Sequence, residues 1–436
     1  MRIAELAAGA IAAALAASPL SAQLSTPEQA AVAAVDAGFE RDVAELEAIT
    51  LVNSGTHNHA GVKAVADMLI PAFEELGFTA EWIDQSVAGR AGHLFARHSG
   101  DPATKRVLLI GHLDTVFEPS SPFTGFVRDG DRAVGPGILD DKGGVIVILS
   151  ALRAMKVAGT LEGANIVVAL TGDEEDAGDP LELARRDLVA AGQWADVALG
   201  FEGLSTLDGR DAGVIARRSS SSWKLTTRAA SGHSSGIFSD DAGYGAIYEM
   251  ARILDRFRAE LPEENATFNI GLLAGGTPAE LAEDELSATT EGKTNIIPSI
   301  AIARGDLRTL TSEQDERIVA KMRAIVADHL PGTSAEFEFE SRYPPMAPTD
   351  GNRDLLAQLN RINADLGLDE QLPYPPSRRG AADISFVAPY VDGLAGMGPG
   401  GGGSHAEGEY VDLPTIARQA KRTAILIGRL AKQPRD

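Results

Sequence analysis

The stretch Val107-Leu108-Leu109-Ile110-Gly111-His112-Leu113-Asp114-Thr115 decides how this chain folds. Its short, unbroken apolar run reads as a strand buried on both faces. His112 and Asp114 follow just past the end of the run, spaced two apart, so continued extended backbone turns both toward one side. The pattern recurs twice. Ile166–Leu170 precedes Thr171-Gly172-Asp173-Glu174-Glu175-Asp176, and Val197–Leu199 precedes Glu202. Open parallel sheets build their sites from the loops at the carboxyl ends of the strands, and these polar residues stand in such loops.

Outward from that point, strands and helices alternate. Thr26–Thr50 and Val62–Leu76 read as helices, the second closed by Gly77 as a C-cap. Strand-like runs follow at Ala80–Ile83, His93–Arg97 and Val107–Ile110, then a helix at Val145–Val157. The expected architecture is α/β, a mostly parallel sheet covered by helices. The texture changes near Arg217. Ser222–Arg228, Ala266–Leu273, Ile300–Arg308 and Ala335–Glu340 read as strands, with helices at Ala242–Phe257 and Glu313–His329. That order, β-α-β-β-α-β, predicts an inserted ferredoxin-like α+β unit over residues 217–343. The first unit then spans 23–216 and resumes over 344–436, with helices at Leu355–Leu366 and Pro414–Leu430 and a glycine-rich loop at Gly398–Gly403 that delivers His405.

Composition narrows the chemistry. A length of 436 residues suits two domains, and 44% hydrophobic with 23% charged residues is ordinary for a globular protein. The net charge of −23 argues against a nucleic-acid partner, which needs a basic face. Without cysteine there is no thiolate nucleophile, disulfide or sulfur-ligated zinc. Leu6–Leu20 is an apolar, alanine-rich run ending at Leu20-Ser21-Ala22, which predicts a signal peptide over residues 1–22 and export to the periplasm or medium. An alanine-rich helix packed on the domain is the alternative. No other run is long enough to span a membrane.

Any metal must therefore be held by nitrogen and oxygen. His112, Asp140, Glu175, Glu202 and His405 suit a pair of divalent cations, zinc first, with cobalt or manganese as alternatives. Asp140, in Gly135-Pro136-Gly137-Ile138-Leu139-Asp140-Asp141-Lys142-Gly143-Gly144, can give one carboxylate oxygen to each ion; taken alone, the segment favours the simpler reading of Asp140 or Asp141 as a helix N-cap. Asp114 can orient His112 through the far imidazole nitrogen. The carboxylates at 173–176 repel one another unless solvated or matched by cations. On the functional reading Glu175 binds metal while Glu174 stays free as a general base.

These segments, in this order, resemble the zinc metallopeptidase family of glutamate carboxypeptidases, aminoacylases and succinyl-diaminopimelate desuccinylases, and within it the bacterial glutamate carboxypeptidases most. The likeness runs over essentially the whole mature chain. It implies one zinc on His112, Asp140 and Glu202, a second on Asp140, Glu175 and His405, and a cis Asp140–Asp141 peptide. The insert then resembles a lid or dimerisation domain, forming a homodimer. Ser231-Gly232-His233-Ser234 matches the place where relatives put a histidine that reaches a partner's site and donates to the carbonyl oxygen. Asn295 and Arg308, in Asn295-Ile-Ile-Pro298 and Asp306-Leu-Arg308, are implied substrate binders. Gly380-Ala-Ala-Asp383 and the approach to His405 depart from the family's pattern, which puts the specificity pocket in question.

The expected activity is hydrolysis of a C-terminal amide in a small peptide or N-acyl amino acid, by metal-activated water. The rivals are an aminopeptidase or dipeptidase of the same fold and a non-catalytic exported binding protein. Retention of Glu174 beside every metal ligand speaks against the last.

Overall fold

The computed structural model describes residues 24–435, so the expected leader lies outside the described residues. A six-stranded sheet organises the first unit. Its strands stand in the order Thr79–Asp84, Gly92–His98, Asn165–Thr171, Arg106–His112, Val197–Gly200, Gly393–Leu394. The last four run parallel to one another, whereas the first two pair antiparallel. The sheet is thus mixed, and the expectation of a mostly parallel sheet holds for its site-bearing half. The antiparallel edge follows from the short connection between Asp84 and Gly92, since a parallel return needs a crossover of a dozen or more residues.

Alternation along the strands explains the apolar runs. Val107 and Leu109 enter the larger core under the helices Thr26–Thr50, His59–Leu76, Gly143–Ala158 and Leu413–Leu430. Leu108 and Ile110 enter a second core with Leu188, Ala191, Ile384 and Val387. With both faces covered, no polar alternation survives in the sequence.

A third core, drawn wholly from residues 223–339, fills the insert. Four antiparallel strands stand in the order Thr267–Gly276, Ile300–Arg308, Ser220–Ala229, Thr333–Tyr343, with helices Ala246–Glu260 and Ser312–Ala327 contributing to the same core. The first helix begins at Ala246 rather than Ala242, because Gly243 and Gly245 hold positive φ values of 65° and 77°. A hairpin, Ala279–Leu281 with Ala288–Thr290, was not expected. Thr267–Gly276 forms one edge of the sheet, with Leu273 and Ile270 exposed. No described helix is long and apolar enough to cross a membrane.

Candidate metal centre

His112 ends its strand in register with Thr171 of the parallel neighbour, so the loop from Gly172 emerges beside it. Glu202 follows Val197–Gly200 on the other flank, where Phe201 N–H donates to the Ile110 carbonyl at 2.8 Å. Asp140 reaches this edge on the tight turn ahead of helix Gly143–Ala158. The turn is closed by buried Lys142, whose Nζ donates to the Val52 carbonyl at 3.0 Å and whose pKa burial pulls down to about 7. The Asp140–Asp141 peptide is cis, as the family resemblance implied.

Asp140 is the meeting point. Its Oδ1 lies 3.1 Å from His112 Nε2 and its Oδ2 lies 3.3 Å from His405 Nε2. His405 Nε2 is also 3.1 Å from Glu175 Oε2. Donor atoms of His112, Asp140 and Glu175 fall within 4.8 Å of one another, a candidate metal-binding cluster. Donors held about 2.0–2.1 Å from a tetrahedral ion stand roughly 3.3 Å apart, close to these separations. Glu175 Oε1 is buried without a hydrogen-bond partner, as a donor awaiting a cation would be. The residues present fit divalent metal.

The electrostatics agree. Burial opposes charge on His112, but bonds to Asp114 and Asp140 outweigh it and raise its pKa well above the usual value. Bonds to Asp140 and Glu175 raise His405 to about 10. Without a cation, the carboxylates draw protons onto both imidazoles, and a divalent ion would replace that charge. Burial pushes the Glu174 carboxyl well up; Glu202 adds to this, His112 opposes it, and Asp383 and Glu175 add further.

Asp114 does more than orient an imidazole. It lies 3.4 Å from His112 Nδ1 and accepts from Thr56 Oγ1 at 2.7 Å. It also accepts the backbone N–H groups of Glu174 at 3.0 Å and Glu175 at 3.1 Å. Asp114 thereby sets the places of the base candidate and a metal donor through its carboxylate, and of His112, whose Nδ1 hydrogen-bonds the Asp114 main-chain carbonyl at 3.1 Å.

Glu202 is engaged by arginine. Its Oε2 accepts from buried Arg217 Nη2 at 2.8 Å and lies 3.6 Å from Arg379 Nη2. Arg217 is anchored further by the carbonyls of Gly380 and Ala381, the segment that departs from the family's pattern. His233 and Asn295 come together on the insert: His233 bridges Ile296, and Ser234 N–H donates to the Asn295 carbonyl at 2.9 Å. Both are exposed, and His233 Nδ1 contacts Ser235 Oγ at 2.8 Å. Arg308 is half-buried, its Nε donating to Asp306 at 3.1 Å.

Sequence reasoning missed Glu409. It is buried on the loop that also presents His405, between strands Gly401–Gly402 and Tyr410–Asp412. Its carboxylate accepts the N–H groups of Leu139 at 2.7 Å, Asp140 at 2.9 Å and Gly137 at 3.2 Å. Burial pushes its pKa up to about 7. Nothing local marks it, because its partners lie far away in sequence. His405 holds a left-handed φ of 64°, strain of the kind that gathers at functional sites.

Comparison with known proteins places the chain in a family. Carboxypeptidase G2 of Pseudomonas sp. (strain RS-16) is 25% identical over 93% of this chain and 90% of its own length. A succinyl-diaminopimelate desuccinylase of Acidiphilium cryptum is 30% identical over 62% of this chain and 68% of its own. The fold is shared with the aminopeptidase PepT of Bacillus cereus, at a TM-score of 0.71 and 20% identity, covering 90% of this chain and 99% of that one. The model of peptidase family M20/M25/M40 matches residues 108–429, and the chain belongs to that family of metal-dependent hydrolases.

Proposed function

We propose that the chain is a dinuclear zinc hydrolase that cleaves a C-terminal amide, as a carboxypeptidase or N-acyl-amino-acid amidohydrolase. The observation that carries this reading is Asp140, with one carboxylate oxygen toward each of two imidazoles. Its likeness to carboxypeptidase G2 along nearly its full length supports the same choice. His112, Asp140 and Glu202 would hold one ion, and Asp140, Glu175 and His405 the other. When bound, such ions polarise a carbonyl and make water acidic near neutrality.

The chain's own groups do the rest. Glu174, whose carboxyl is raised by burial, takes the proton of the attacking water and returns it to the departing amine. Asp114 keeps His112 and the 174–175 backbone in place. Arg308 and Asn295 bind the substrate's acidic end, a guanidinium being suited to a carboxylate.

The division into 23–216, 217–343 and 344–436 belongs to the same proposal, with the insert as a lid and dimerisation unit. The exposed apolar residues on its edge strand support pairing with a second copy, whose site His233 would then reach. Export behind a cleaved leader completes the reading.

A panel of N-acyl amino acids and dipeptides, including peptides with free N-termini, assayed on zinc-loaded protein tests this. Cleavage should require a free C-terminal carboxylate, and Glu174→Ala should retain metal while losing roughly 10²-fold or more in turnover. Unchanged turnover in that variant would refute the mechanism.

A further inference from the structure

The peptide unit joining Glu174 to Glu175 is gripped from both sides. Its N–H, that of Glu175, donates to Asp114 Oδ2 at 3.1 Å. Its carbonyl, that of Glu174, accepts from the hydroxyl of Tyr343. Tyr343 is the last residue of the insert's strand Thr333–Tyr343, paired across from Ser220 where the insert begins. The loop bearing the base is therefore fastened to the sheet through Asp114 and to the insert through Tyr343.

Tyr343 is itself held rigidly. Its hydroxyl accepts from Arg185 Nη2 at 3.1 Å, so that oxygen both donates and accepts. Its ring packs against Phe386 with centroids 4.9 Å apart. Arg185 is fully buried and lies between two carboxylates. Its Nη1 donates to Asp173 Oδ1 at 2.6 Å and its Nη2 to the Asp173 carbonyl at 3.0 Å. Its Nε is 2.9 Å from Asp383 Oδ1, and Asp383 in turn accepts from Thr171 Oγ1. Asp173 and the main-chain carbonyl of Glu174 are thus tied into one buried network, which the assigned reaction does not itself use. Arg185 Nε and Asp383 Oδ1 meet as an ion pair without a hydrogen bond, but the remaining bonds hold the Tyr343 hydroxyl in one place.

We propose that Tyr343 is a positioning residue: its hydroxyl sets the plane of the Glu174–Glu175 peptide, so that the insert's attachment fixes how the base and the metal donor are aimed relative to each other. This rests on the roles given to Glu174 and Glu175 above. The physical reason is leverage. One peptide plane carries the backbone of both side chains, so a small rotation of it moves the two together relative to substrate. Catalysis depends steeply on such placement, with about 10²-fold lost for a displacement near 1 Å.

Tyr343→Phe removes the hydroxyl and keeps the ring. It should lower kcat about tenfold while KM stays within about twofold and zinc content is unchanged, the pattern of a misaimed base, with Tm falling because the Glu174 carbonyl loses its donor. Hydrogen–deuterium exchange of metal-free protein should be faster across residues 171–178 in the variant. Phe386→Leu is the comparison, since it loosens the ring but keeps the hydroxyl: it should lower Tm while kcat stays within about twofold. Unchanged kcat with unchanged exchange in Tyr343→Phe would overturn the proposal, as would equal kcat losses in both variants. The exchange measurement needs no substrate, so it decides the tie even if Glu174→Ala retains full turnover and the assigned reaction falls.

Discussion

Glu409 accepts the backbone N–H of Asp140 at 2.9 Å across 269 residues of sequence. The contact is one of three such bonds, and together they stop the turn carrying Asp140 from opening. Glu409→Ala leaves three buried donors without their acceptor, each worth about 1–3 kcal/mol if it stays dry. The urea midpoint should fall by the equivalent of at least about 2 kcal/mol, and the protein should bind zinc more weakly in a chelator competition. Glu409→Gln, which keeps acceptor capacity, should fall between the two. Wild-type stability in the alanine variant would show that the turn stands without this anchor.

Metal stoichiometry dissects the centre. His405→Ala should lose about one of two zinc ions measured by plasma mass spectrometry, because His405 faces only Asp140 and Glu175. Glu202→Gln separates two roles, since the amide still accepts from Arg217 but is a poor zinc donor. Loss of an ion at unchanged Tm supports Glu202 as a ligand. Full zinc content at reduced Tm makes it simply the counter-charge of Arg217.

A pH test sits in the insert, away from the metal. Glu249 is buried, which opposes its charge, yet two bonds from Arg252 at 2.6 and 3.0 Å and one from Leu330 N–H at 3.0 Å hold its pKa below the ordinary 4.5. A folded pKa below the unfolded one gives stability that is present above pH 4.5 and lost as pH falls through the lowered folded value. Glu249→Gln should therefore be destabilised by about 1–3 kcal/mol at pH 7, with the gap to wild type closing on acidification. A gap constant from pH 7 down to acid unfolding would exclude the ionised carboxylate as its cause.

Gly144 is the second residue of the helix behind Asp140, and a Cβ there would lie 2.1 Å from the Phe201 carbonyl and 2.2 Å from Asp141 Oδ1. Backbone cannot yield cheaply. Gly144→Ala, a change that favours helix in isolation, should destabilise by about 1–3 kcal/mol or more and reduce zinc retention. A rise in Tm would show that the sheet end can shift to admit the methyl group.

How legible all this was in the sequence depended on distance along the chain. Strand ends at His112, Thr171 and Gly200 could be read because apolar runs buried on both faces announce themselves locally. The gathering of His112, Asp140, Glu175 and His405 was expected from their types and the family resemblance, and the structure places all four together. Glu409 and Tyr343 could not be read. Each works through a backbone group remote in sequence, and a lone Glu in a glycine-rich loop or a Tyr ending a strand carries no mark of that. The burial of Arg217 against Glu202 could not be read either, because it depends on where the 380–381 carbonyls fall. The antiparallel edge of the main sheet escaped because strand direction is set by connection length rather than by the apolar pattern.

His405 and Glu409 share one loop, so one segment both supplies a donor and locks the turn of Asp140. A chain synthesised only as far as Asp140 still lacks both groups, because Glu409 follows it by 269 residues. During synthesis the nascent chain therefore lacks a finished centre, and its hydrolytic potential is deferred until that loop has been made.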